Sequence, residues 1–101
     1  MNPKELAFKP ASELRDLILK KEISPVELTQ VYLDRINNLD QNLNSFMTTI
    51  PEQAIKDAKS AEKAVMDKRI LGPLHGIPIS IKDLEYTKGI KTTMGSLVFK
   101  N

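Results

Sequence analysis

Apolar positions along this chain follow two kinds of spacing, helical in the first two thirds and alternating in the last third. Leu14, Leu17 and Ile18 recur at helical intervals behind Ser12, a favourable N-cap, and the run ends near Lys20 and Lys21, two cations suited to a helix C-terminus. Ser24 opens a stronger signal. Pro25 fits the first helical position, Glu27 stands at capping-box distance, and Leu28, Val31, Tyr32, Ile36 and Leu39 form one apolar stripe. The Asn- and Asp-rich stretch from Asn37 to Asn44 predicts a loop, and Ser45 to Ile50 a short extended segment with Phe46 as a core anchor. Pro51 then introduces a third helix. Its Ala54, Ala58, Ala61, Ala64 and Val65 make a narrow face of small residues against which a sheet or another helix can approach closely.

The period changes to two at Ile77. Ile77, Ile79 and Ile81 alternate with Pro78, Ser80 and Lys82, which predicts a strand with isoleucine on one face and the lysine on the other. Gly72 and Pro73 mark the loop that enters it. A weaker second strand is expected within Ile90 to Val98, interrupted by Gly95. The pattern therefore predicts an α/β chain of about three helices followed by one or two β-strands. A strand left with open apolar edges invites pairing with another copy.

Lys82 is the candidate for chemistry. A lysine in water has a pKa of about 10.4, so presenting it neutral at pH 7 costs about 4–5 kcal/mol unless burial and neighbours lower that value. On residues alone, a lysine after an apolar strand is more commonly a solvated strand end. Ser80 shares its face and suggests a nucleophile beside a base, although a small residue that leaves room is the plainer reading. His75 is the single histidine and belongs in the turn before the strand, where it has no second histidine for a metal site. Asp83 points to the opposite face and reads as a turn residue.

The run Gly72-Pro-Leu-His-Gly-Ile-Pro-Ile-Ser-Ile-Lys82-Asp83, with Thr87-Lys-Gly89 and Thr92-Thr-Met-Gly-Ser96 after it, resembles the opening of the amidase signature family. Ser12 to Met47 is similar to the helical lead-in that precedes this motif in the family. The resemblance implies that Lys82 is the base of a Ser-Ser-Lys triad that hydrolyses carboxylic amides through an acyl-enzyme. It also implies a bridging serine and a nucleophilic serine downstream of Asn101, and assigns Ser96 a part in shaping the site rather than in attack. Leu84 stands where many members carry asparagine, which favours a general amidase over the amidase subunit of a tRNA-dependent amidotransferase.

Composition narrows the partners. A net charge of +2 from 15 basic and 13 acidic residues, spread without a single-sign patch, argues against a nucleic-acid partner. The charged residues of the third helix, among them Lys59 and Glu62, read as its solvated face. No cysteine is present, so no disulfide or thiolate metal site can form; no cofactor and no metal are expected, and a cytoplasmic protein is. Met1 to Pro10 lacks the apolar stretch of a signal peptide, and no membrane association is expected.

At 101 residues the chain is expected to be a single N-terminal fragment, with 1–70 as helical lead-in and 71–101 as the start of the amidase core. The expected function is that of part of an amidase acting on a small-molecule amide. The chain alone, lacking both serines, should be inactive. A rival expectation is a non-catalytic module that self-associates through the 77–81 strand into a homo-oligomer.

Overall fold

The computed structural model describes residues 2–43, 45–46, 49–69, 71–81, 88 and 90. Four helices carry their regular structure: α1 (Pro3–Ala7), α2 (Ala11–Leu19), α3 (Pro25–Leu43) and α4 (Pro51–Met66). Three of them begin at a proline, whose fixed φ suits the first helical turn and whose missing N–H is no loss there. At α1 the Asn2 side chain accepts the Lys4 N–H at 2.8 Å, and at α3 the Ser24 hydroxyl accepts the Glu27 N–H at 3.0 Å. Helix α2 differs from expectation. Ser12 lies inside its first turn, and the carbonyl of Pro10 receives the N–H groups of Glu13 and Leu14.

Helices α2 and α4 end alike. Lys21 (φ 61°) and Lys68 (φ 57°) take the left-handed conformation, and the next residue returns its N–H into the last turn, Glu22 to Leu17 O at 2.9 Å and Arg69 to Ala64 O at 3.1 Å. Each is a Schellman closure with lysine where glycine would be free of Cβ strain.

The loop expected at Asn37 to Asn44 is helix as far as Leu43. Its polar side chains are exposed or half-buried and so do not compete for core space. Asp40 then receives the N–H groups of Ser45 and Phe46 at 2.7 and 3.1 Å, turning the chain away at the helix end. Phe46, expected in the core, is exposed at 40%.

The core sits where α1, α2, the α2–α3 corner and α4 meet. Leu6, Leu14, Ile18, Ile23, Leu28 and Val65 form it, with Leu17, Val31, Tyr32, Leu71 and Ile77 packed around them. Leu28 is fully buried and Ile18 nearly so, each removing apolar surface that contributes about 1.5–3 kcal/mol. The alanine face of α4 meets α3, with Ala58 and Ala64 buried and Ala54 and Ala61 half-buried. Across the bundle, the Tyr32 hydroxyl donates to Ala7 O at 3.3 Å, and the Arg35 guanidinium lies 5.0 Å from the Phe8 ring centroid.

No β-strand occurs among the described residues, which overturns the expectation of an α/β chain ending in one or two strands. Residues 77–81 are extended in pattern but have no neighbouring strand among the described residues to take their N–H and C=O groups. Ile77 is claimed by the helical core, whereas Ile79 and Ile81 are 71% and 53% exposed. Of the second expected strand only Ile90 is described; Thr92, Thr93, Leu97 and Val98 lie outside the described residues.

Candidate functional site

The segment that leads to Lys82 leaves the bundle through a tight double turn. His75 N–H donates to Gly72 O at 3.2 Å, and Ile77 N–H donates to Leu74 O at 3.1 Å. Gly76 is the third residue of the second turn and has φ 80°, a value that favours glycine. It is also pressed against the bundle. A Cβ built on it would lie 2.9 Å from Pro25 Cγ and 3.3 Å from Ile18 Cδ1, two of the most buried side chains in the chain. Pro25 thus serves twice, as the first residue of α3 and as the wall that receives the turn.

A second tie comes from the histidine. His75 Nε2 donates to Ala61 O at 2.8 Å, a half-buried bond into the middle of α4. A carbonyl can only accept, so Nε2 carries hydrogen, and the second lone pair of Ala61 O remains for the helix itself. The turn therefore touches α4 through His75 and the α2–α3 corner through Gly76. Nothing in the one-dimensional pattern announces either contact: His75 and Ala61 are 14 positions apart, and Gly76 looks like Gly72.

Beyond the turn, Pro78 is half-buried, and Ile79, Ser80 and Ile81 are exposed. Lys82 and Asp83 lie outside the described residues, as do Leu84 and Ser96. The structure brings Ser80 against no described hydrogen-bond partner, and His75 is spent on a backbone carbonyl rather than on a hydroxyl. Among the described residues there is no group of three His, Asp or Glu side chains placed to hold a metal ion. No helix among them is long and apolar enough to cross a membrane.

Two hollows open on the described surface. One, of about 210 Å³, lies between the α2–α3 corner and the end of α4 and is lined by Ile18, Pro25, Glu27, Glu62 and Val65 among others. The other is an open dish of about 480 Å³ at the start of α4, lined by Thr49, Ile50, Glu52 and Lys56 among others. The ion pairs described are at the surface, Lys9 with Glu13 at 3.4 Å and Arg69 with Asp67 at 3.5 Å, and Lys59 makes none with Glu62. On α4, Glu52, Lys56, Asp57, Lys59 and Lys63 are exposed as the pattern suggests, whereas Glu62 is half-buried beside the smaller hollow.

Comparison with known proteins places this arrangement. Residues 27–101 match the family model described as Amidase. The A subunit of the glutamyl-tRNA(Gln) amidotransferase of Methylococcus capsulatus is 48% identical over 88 residues, covering 87% of this chain and 18% of that protein. The proteins of the same name from Geobacter sp. (strain M21) and Moorella thermoacetica are 42% and 39% identical over 89 and 92 residues, covering 88% and 91% of this chain and 18% and 19% of theirs. The chain thus spans less than a fifth of the length of these curated relatives. No solved structure matches.

Proposed function

The chain belongs to the amidase family, and on that premise we propose that it is the opening part of an enzyme that cleaves carboxylic amide bonds with Lys82 as general base. The observation that carries this reading is the match over residues 27–101, which takes in the whole run from Gly72 through Lys82 to Ser96. Residues 1–70 then serve as a helical lead-in and 71–101 as the start of the catalytic core.

In this reading the neutral Lys82 amine takes a proton from a serine hydroxyl by way of a bridging serine, and both serines come from other parts of the enzyme. The freed oxygen attacks the amide carbonyl. Collapse of the tetrahedral intermediate breaks the C–N bond, the amine leaves with a proton returned along the same relay, and water then cleaves the acyl-enzyme. The chain by itself holds the base but no nucleophile, and is inactive.

The names of the relatives favour a finer reading. Each of the three is the A subunit of a glutamyl-tRNA(Gln) amidotransferase, and this outweighs the single Leu84 difference that points toward a general amidase. In the finer reading the enzyme works beside at least one further subunit on a tRNA-borne substrate. Tight tRNA binding need not involve these 101 residues, whose charges are mixed and nearly balanced. A cytoplasmic setting belongs to the same proposal.

The test replaces the matching segment of the Methylococcus capsulatus protein with this chain and follows ammonia release from a primary carboxylic amide. The hybrid should turn over, and Lys82→Ala should lower kcat by about 10²–10⁴-fold without loss of fold. Undiminished turnover in Lys82→Ala would remove the base assignment.

A further inference from the structure

We propose that His75 and Gly76 are positioning residues for Lys82, clamping the turn before the lysine segment onto two separate parts of the helical bundle. The inference rests on the reading of Lys82 as the base. Its evidence is the pair of independent ties at one turn: His75 Nε2 on Ala61 O at 2.8 Å, and the Gly76 backbone seated against Pro25 and Ile18 with no room for a Cβ. One tie alone would leave the turn free to rotate about it. Two ties to different elements, α4 and the α2–α3 corner, fix both the origin and the direction of the chain that leaves.

The need for such a clamp follows from reach. Ile77 packs against the core, whereas Ile79 and Ile81 are exposed, so the described bundle does not grip residues 79–81. Lys82 is the sixth residue after Gly76, an extended reach of at most about 20 Å, over which a rotation of about 10° at the turn moves the far end by about 3 Å. Misplacement of a reacting group by about 1 Å is enough to lower a rate by about 100-fold. Among the described residues His75 has no other partner. It is the single histidine, it faces a backbone carbonyl, and no described carboxylate or hydroxyl meets its ring.

The experiment uses the same hybrid enzyme and reads kcat and KM separately. His75→Ala should lower kcat by about 10–100-fold with KM nearly unchanged. His75→Gln, whose side-chain N–H can reach the same carbonyl, should recover most of that loss, whereas His75→Phe, which keeps the ring volume without the donor, should not. In the Lys82→Ala background, His75→Ala should add little, because it acts through the lysine. Wild-type kcat in His75→Ala beside a dead Lys82→Ala overturns the positioning role alone; an undiminished Lys82→Ala overturns the base reading and the positioning role with it. Failure of His75→Gln to recover activity beyond His75→Phe also counts against the hydrogen bond. A second measurement needs only the 101-residue chain: amide exchange at Ile77 should speed by about fivefold in His75→Ala while the helices keep their protection. Unchanged exchange at Ile77 overturns the clamp.

Discussion

Replacing Gly76 by alanine would set a methyl group 2.9 Å from Pro25 Cγ and 3.3 Å from Ile18 Cδ1. Neither neighbour can retreat easily, since Pro25 is a rigid ring and both side chains are fully buried. The overpacking costs about 1–3 kcal/mol, and the left-handed φ adds about 1–2 kcal/mol for a residue with a Cβ. Against this, alanine narrows the unfolded ensemble by about 0.4–1 kcal/mol. The net loss falls within about 1–5 kcal/mol and centres on about 3 kcal/mol. The chain could escape the clash by undocking the turn, but that forfeits the His75 bond, worth about 1 kcal/mol, and the half-burial of Leu71 and Ile77, worth about 1 kcal/mol each. Both routes lead to a similar loss.

Gly72 supplies the internal control. Nothing lies within 4 Å of its Cβ position and its φ is not in the left-handed range, so Gly72→Ala should be neutral or stabilising by up to about 1 kcal/mol. Urea unfolding of both variants followed by far-UV circular dichroism measures the difference directly. Equal stability of Gly72→Ala and Gly76→Ala would refute the close approach of the turn to the α2–α3 corner.

Other perturbations test other parts of the bundle. Leu28→Ala removes the most buried side chain and should destabilise the chain by about 2–5 kcal/mol in the same unfolding assay, a loss large enough to leave it partly unfolded at about 37 °C. Lys21→Gly and Lys68→Gly relieve the left-handed lysines at the two helix ends and should each stabilise by a few tenths to about 1 kcal/mol, read as a rise in Tm; a fall in both would show that those closures depend on the lysine side chains. Exposed Ile79 and Ile81 should make the isolated chain associate as its concentration rises, and Ile79→Lys with Ile81→Lys should suppress this; a strictly monomeric wild type in sedimentation velocity would dismiss the self-associating reading.

What the sequence could disclose tracks the range of each interaction. Ser24-Pro25 and Pro51 start helices by local backbone chemistry, and both starts are legible; Asn2-Pro3 carries the same signal for α1 but in a stretch too short to stand out. Asn37 to Asn44 misleads because polar residues weaken a helix only slightly when they face solvent, and Asp40 finds its partners beyond the helix end rather than inside a loop. The alternation from Ile77 to Ile81 reports which residues share a face, not whether another strand lies alongside. Lys82 is picked out by the motif around it, while the contacts of His75 and Gly76 join positions far apart in the chain and require the fold.

The division at Ile77 bears on where the chemistry resides. Up to that residue the described chain builds a core of its own: Leu6, Leu14, Ile18, Ile23, Leu28 and Val65 meet in one cluster with Ile77 packed against it, and the turn before Ile77 is tied down twice. Ile79 and Ile81 face solvent. A lysine works as a base at neutral pH only where burial and neighbouring groups disfavour its charge. The described bundle does not bury Ile79 or Ile81, so on the proposed reading of Lys82 the environment that would make it a neutral amine comes from surfaces other than the described bundle. The alternating pattern assigns Lys82 to the face opposite Ile79 and Ile81, so contacts that quench the isoleucines do not by themselves make the proposed base neutral, and a partner segment that covers only the isoleucine face would restore solubility but no turnover.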